Sequence, residues 1–506
     1  MKKLIIIFTA VTGIVITGCK KGFLDINQNP NQPVESNITA NLVLPNALNV
    51  TSGRITAGFG FVHHWMGYWA PSGSFSSNTV ETTYNITTGF QNGQWTGMYD
   101  NLYDYYFMEQ KAKAAGQDFY VGIAKIMKSL LFSRLVDLYG NVPYSKAFDI
   151  VGNIRPAYDN AATIYADLQT QIMAGINLIK NADVNANPKI AAADIMFGGN
   201  KTLWGKFGNT LALRLLIHQS QVSGFSPTAF ITAITANGYG FLGTGQNADV
   251  SPGYTADKPA NFWGAYLFNV QGTYSNTFER AQTFVMDEYK SFSDSRIAYF
   301  FKPVRSGSFP AGTFRSVVYG LPPQTVNAED KLSDIGGADV ATGGVKKGLG
   351  KAFDMRQWIL TSVESMFLQA EAIQRGWIAG TAQTAYEDAV RESFRWLAVT
   401  GADAAAAAYL AANTTSPKVG WAVAPNKINL IMWQKYYALC GIEALETWTD
   451  KRRLNVIPVP LSVAPGTTVT SIPIRLFYPQ AEYDYNTENV TAQGTITQSS
   501  KIFWMP

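Results

Sequence analysis

The chain is poor in the residues that carry covalent or metal chemistry. Only two cysteines, Cys19 and Cys440, and three histidines, His63, His64 and His218, occur in 506 residues. There is no H-E-x-x-H, no G-x-S-x-G and no cysteine pair spaced for zinc, so the usual signatures of metalloprotease, serine hydrolase and zinc site are missing. Charge is scarce as well: 15% of residues are charged, against about 25% in an ordinary soluble protein. Lys and Arg number 40 and Asp and Glu 36, a net +4. Lys2 and Lys3 lie in a segment expected to be removed, leaving 4 − 2 = +2, too near balance for a nucleic-acid reader. After the amino terminus no apolar run reaches the ~18 residues of a membrane-spanning helix. What abounds is apolar surface: 47% hydrophobic residues, with 29 Phe, 25 Tyr and 12 Trp. That excludes a disordered chain and promises a large core.

The amino terminus reads as an address. Lys2 and Lys3 precede a run from Leu4 to Ile16 that is apolar apart from Thr9, Thr12 and Gly13, the pattern of a secretory signal. Ile16-Thr17-Gly18-Cys19 resembles a bacterial lipobox, in which a branched and two small residues precede an acylated cysteine. Residues 1–18 are therefore expected to be a lipoprotein signal peptide, Cys19 the lipid attachment site and the membrane contact. Residues 19–40, with Asn29-Pro30-Asn31-Gln32-Pro33, read as a tether. With Cys19 acylated, no internal disulfide can form, and Cys440 should be a buried thiol.

Residues 41–506 read as one mostly α-helical domain. Ile123, Ile126, Met127, Leu130, Leu131, Leu135 and Leu138 recur at helical spacing over 121–138. Similar stripes predict helices over 161–180, 201–222, 358–376, 384–399 and 427–449, and a further helix is expected over 402–412. Gly205, Gly208 and Ala212 would let another helix approach closely. Several helices fall as adjacent pairs, which suggests tetratricopeptide-type hairpins, without a clean 34-residue period. Two stretches lack this periodicity, near 51–97 and 224–350, and loops so long are usually functional surfaces.

Gly238-Tyr239-Gly240-Phe241-Leu242-Gly243 fits G-x-G-x-x-G, but it follows a helical pattern and opens no helix, against a dinucleotide site. No cofactor or metal is expected. The aromatics of the two loop-rich stretches are more informative. Trp65, Trp69, Tyr84 and Trp95 in the first, and Phe262, Trp263 and Tyr266 in the second, stand beside Asn78, Asn85, Gln91 and Asn261. A sugar ring packs its C–H face on an aromatic plane and needs polar partners around its rim. These seven aromatics are the candidate ligand-binding residues; the alternative is that they fill core beneath the loops.

Phe23-Leu24-Asp25-Ile26-Asn27, the run Leu135-Val136-Asp137-Leu138-Tyr139-Gly140-Asn141-Val142-Pro143-Tyr144, and Ala370-Glu371-Ala372 with Arg375-Gly376-Trp377 resemble landmarks of the SusD/RagB-like outer-membrane nutrient-binding lipoproteins. So do Trp448, Asp450, Arg452-Arg453 and Pro473-Ile474-Arg475-Leu476-Phe477-Tyr478-Pro479. The resemblance implies a SusD-like α superhelix of tetratricopeptide-like helix pairs whose long loops build a ligand face. It also implies surface exposure at the outer membrane and a SusC-like TonB-dependent transporter as partner. The ligand would be an oligosaccharide or polysaccharide, or else a peptide, and the protein would not be an enzyme. A lipid-anchored glycan hydrolase and a surface lipoprotein without ligand are the competing readings. Ligand residues of this family vary, so none carries over by motif. Trp448 and Arg452-Arg453 are expected to lock the scaffold, and Asp137 and Glu364 to form structural ion pairs with residues such as Arg134.

Overall fold

A computed structural model describes residues 37–76, 78–337 and 346–506. Cys19 and the lipobox-like segment lie outside the described residues. The chain divides into Met1–Thr39 and a body, Ala40–Pro506; the architecture below is that of the body.

The body is mostly helical. Its first five long helices are α1 (Ala40–Ala57), α2 (Asn92–Ala114), α3 (Asp118–Tyr139), α4 (Ala161–Asn181) and α5 (Lys201–His218). Each packs against the next, so the chain winds as successive antiparallel pairs. Small residues set the closest crossings. A Cβ on Gly122 of α3 would stand 2.6 Å from the Gly175 carbonyl of α4, and one on Gly208 of α5 would stand 2.7 Å from Ile176. After a long insertion α6 (Ser362–Gln374) returns to pack on α5. It is followed by α7 (Ala382–Trp396), α8 (Ala402–Ala412), α9 (Lys427–Ala438) and α10 (Ala444–Leu454).

The amino ends of four of these helices carry their own start signals. Asn160, Asn200, Thr361 and Asn426 accept hydrogen bonds from first-turn amides of α4, α5, α6 and α9, satisfying donors that the helix itself cannot. Gly140 ends α3 with φ +79° and ψ −122°. This is a glycine-only conformation rather than the left-handed helical one expected of a helix stop. A side chain there would also press on Arg475.

Three expectations need correction. The single helix over 427–449 is two, α9 and α10, broken at Gly441 (φ +71°), where a Cβ would meet Leu349 at 2.5 Å. The helix read from 358 begins at Ser362, because Gln357–Leu360 is a strand. The first loop-rich stretch, 51–97, contains the end of α1, a short helix Gly60–Trp65 and the start of α2.

Two short ribbons tie the loops down. β1 (Trp69–Pro71) pairs antiparallel with β3 (Glu279–Ala281), with Trp69 opposite Ala281. β2 (Ala248–Val250) pairs antiparallel with β4 (Gln357–Leu360). The first ribbon joins the two loop-rich stretches to each other. Among the described residues, no helix is long and apolar enough to cross a membrane.

Candidate ligand-binding face

All seven aromatics singled out in the sequence are buried. Trp65 lies between Phe61, Phe90 and Trp448, at ring distances of 5.0, 5.7 and 5.9 Å. The Tyr84 hydroxyl accepts from the Ser462 amide at 3.0 Å. Trp95 sits on α2, edge-on to Tyr139 and Tyr478 and apart from the other six. Trp69 stacks on His63 at 4.0 Å and meets Tyr266 edge-on at 5.0 Å; Tyr266 in turn touches Phe262. Phe262, Trp263 and Tyr266 belong to a short helix, Asn261–Tyr266, and Trp263 packs on Phe268. The ribbon brings Trp69 and the Phe262–Tyr266 cluster together, but as core. A ring closed in by other rings offers no face to a ligand, so the expectation of an open platform at these positions is corrected by their burial.

The surface above that core carries different aromatics. Phe75, two-fifths exposed, lies 5.8 Å from the half-buried Phe278. Its loop is held to the second stretch by backbone bonds: Ser72 N–H to Phe278 O at 2.8 Å, Gly73 N–H to Asn327 O, and Gln324 N–H to Gly73 O. Four residues before Phe278, the part-buried Tyr274 lies under Arg305 at 5.0 Å, and Lys302 lies 5.5 Å from both Tyr274 and Phe268. This rim of rings and cations was missed because Phe75, Tyr274 and Phe278 look no different in sequence from their buried neighbours.

Beneath the rim, His64 is clamped between two carboxylates, Nδ1 to Glu81 at 2.5 Å and Nε2 to Glu279 at 2.6 Å. Burial alone would lower its pKa, but the two carboxylates overcome this and raise it to about 10, so it is an imidazolium. Adjacent His63 is driven the other way by burial, to about 3, and packs as a neutral ring on Trp69. The two histidines thus serve different partners and share no ligand. Tyr319 donates to Glu81 at 3.0 Å, completing a polar staple between Gly60–Trp65, Thr79–Thr82 and β3.

A separate cleft of about 310 Å³ opens where β2 meets β4. Trp396 and Trp358 meet edge to face there, 5.4 Å apart, and Lys351 lies 4.5 Å over Trp396 while donating to its carbonyl. Asp249 and Arg356 pair across the cleft wall. Phe262 stands directly behind Trp358, at 5.0 Å, as its support.

The sequence-predicted scaffold residues behave as supports. Trp448 is buried and its indole N–H donates to Pro473 O at 3.1 Å. Arg452 lies 3.7 Å over the Trp448 ring and donates to the carbonyls of Asp137 and Ile474; Arg453 pairs with Glu371 and Asp450. Arg134 pairs with Glu443, whereas Glu364 takes Arg214 and Asp137 takes His218. Cys440 is buried, and burial pushes its thiol pKa well up.

Helix pairs carrying a loop-built face of rings and polar groups define a helical-repeat binding scaffold. The sequence model of a SusD-like family, described as starch-binding and associating with the outer membrane, matches residues 30–479, and the chain belongs to that family. Solved structures share the fold. A SusD homologue from Bacteroides fragilis is 20% identical with a TM-score of 0.73, covering 92% of this chain and 99% of its own. One from Bacteroides uniformis is 23% identical (TM-score 0.70, 92% and 99% covered). A chitin-binding SusD homologue from Flavobacterium johnsoniae is 21% identical (TM-score 0.70, 92% and 98% covered). No curated protein matches the chain.

Proposed function

We propose that this protein is a lipid-anchored, surface-exposed outer-membrane protein that holds an oligosaccharide on its loop-built rim and passes it to a TonB-dependent transporter. The observation that carries this reading is the β1–β3 ribbon. It unites the two loop-rich stretches and leaves Phe75 at the surface against the part-buried Phe278, with the part-buried Tyr274 under Arg305 and Lys302 in the same segment. The Phe75 ring offers a plane for sugar C–H faces, and the 42%-exposed Arg305 offers donors for hydroxyls. Family membership, with its starch-binding and outer-membrane description, supports the same reading, as does the chitin-binding relative. The role is binding, with no covalent step.

Calorimetry with starch and chitin oligosaccharides tests the ligand. Wild type is expected to bind one of them, and Phe75→Ala to weaken binding about fivefold at a nearly unchanged melting temperature. A folded Phe75 variant that binds normally would remove the rim from the site, and release of shortened sugars would favour a hydrolase. For the anchor, Cys19→Ala should leave a folded protein that no longer fractionates with membranes.

A further inference from the structure

A cavity of about 420 Å³ lies on the helical scaffold, between α2, α3, α4 and the segment 144–149. Its volume is within the roughly 300–1,000 Å³ of small-molecule sites. None of its lining residues belongs to the rim or to the Trp396 cleft.

Two features make it a chemical site. The first is a local excess of positive charge. Lys113 and Lys125 approach the buried Glu109 carboxylate at 2.8 and 3.7 Å, and Lys128 bonds it directly. Three ammonium groups therefore share one carboxylate, and Lys146 adds a fourth at the edge. The other two acids accept from neutral donors, Asp167 from the Tyr144 hydroxyl and Gln171, and Asp149 from the Gly152 amide and Asn153, so four lysines against three acids give the lining 4 − 3 = +1. Burial lowers the pKa of Lys125, Glu109 offsets this only in part, and its lysine neighbours add to the lowering. An anion beside it would relieve that strain. The second feature is an aromatic wall: Tyr106 and Phe148 stack at 5.0 Å and 26°, with the amides of Gln110 and Gln171 also lining the cavity.

We infer that this cavity is a second ligand site, distinct from the rim, for an acidic sugar: a ring carrying a carboxylate or a sulfate ester. The lysines would meet the acidic group as point charges, and the ring would lie against the Tyr106–Phe148 wall with the glutamine amides on its hydroxyls. A neutral sugar would leave the excess ammonium groups uncompensated, and a bare anion would forgo the wall.

The test is calorimetry on the full chain with digalacturonate, galactose 6-sulfate, lactose and inorganic sulfate. At least one of the two acidic sugars should bind, with lactose and free sulfate at least tenfold weaker, and affinity should fall as salt is raised. Which acidic sugar binds distinguishes carboxylate from sulfate. Lys125→Gln with Lys128→Gln should weaken binding at least tenfold, whereas Phe75→Ala should leave it unchanged. Should the double variant fail to fold, Lys113→Gln, altering a half-exposed side chain, should weaken binding several-fold. Binding of neither acidic sugar, equal binding of lactose, or a folded lysine variant with unchanged affinity would overturn the inference.

Discussion

The scaffold and the loop-rich face both bury charge, but in different patterns. In the scaffold eight ions form a chain, beside the separate buried pairs Arg134–Glu443 and Arg214–Glu364. Arg375 meets Glu371, which meets Arg453, then Asp450, Lys435, Glu446, His218 and finally Asp137, with links of 2.6 to 3.4 Å across α3, α5, α6, α9 and α10. In the loop-rich face the ions are separate islands: Arg280 with Asp334, Arg296 with Asp294, and His64 between Glu81 and Glu279. A chain fixes the mutual positions of five helices, because every member but Arg375 has a partner on another element. An island fixes only the two or three segments that meet at it, which leaves the intervening loops free to vary.

The comparison is broken most directly where the two regions touch. Trp448 on α10 packs against Trp65 under the loops and against Arg452 of the scaffold. Trp448→Ala should cost about 3–5 kcal/mol, as for other buried aromatic truncations, read as a large fall in melting temperature. Arg453→Met should cost about 3–5 kcal/mol, because it leaves Glu371 and Asp450 short of a buried partner. Its counterpart Arg305→Met should cost less, about 1–2 kcal/mol, since its side chain is 42% exposed and the buried Asp334 keeps Arg280 as a partner. Equal costs for the two arginines would erase the distinction between chain and islands.

The scaffold was the legible part of the sequence. Helices α4 and α7 follow apolar stripes at the helical period because one face is buried, whereas α3 and α5 are buried almost all round and show as long apolar runs, and α8 shows as an alanine run. Helices α1 and α2 were not seen. Pro45 lies inside α1, and α2 is studded with Tyr, Asp, Gly and Asn, so neither shows a clean stripe. Missing α2 placed Trp95 in a loop when it is a helical core residue. The candidate site was legible as a region and not as residues. Whether a ring near Ser, Gly and Asn points in or out is decided by the β1–β3 pairing, which joins residues distant in sequence and leaves no local mark.

Each region holds one histidine whose folded pKa is raised, and pH separates them. Unfolded histidine titrates near 6.5. For His218 burial again opposes the charge, but Glu446 and Asp137 raise it to about 9; in the loop-rich face His64 rises to about 10. A raised pKa means that the stabilisation is complete below about 6.5 and is lost as pH climbs through the folded value. The His218 contribution should therefore fade between about 6.5 and 9, and that of His64 between about 6.5 and 10. His218→Gln and His64→Gln should each flatten the alkaline decline of the melting temperature, with the His64 effect persisting about one unit further. His63 works in the opposite sense. Its pKa of about 3 makes stability fall as acid protonates the unfolded chain below about 6.5. Variants whose alkaline profiles overlay wild type would show that neither imidazolium is held as its carboxylate partners imply.

The smallest expected stability effect belongs to Phe75, and it is the sharpest test of inside against outside. Its ring is 38% exposed and touches Phe278 in a tilted contact, whereas Trp69, six residues earlier, is fully buried against His63 and Tyr266. Phe75→Ala removes a ring that folding hides only in part and that packs on one neighbour, so stability should fall by about 1 kcal/mol. Trp69→Ala opens a cavity beside Gly441 and Leu349 and should cost several times as much. Binding should order the two differently. If the rim holds sugar, Phe75→Ala weakens the complex by about 1 kcal/mol while the fold is untouched; Trp69→Ala lowers both together. A Phe75 variant as unstable as the Trp69 variant would mean that the ring is core after all, and the exposed rim would lose its central residue.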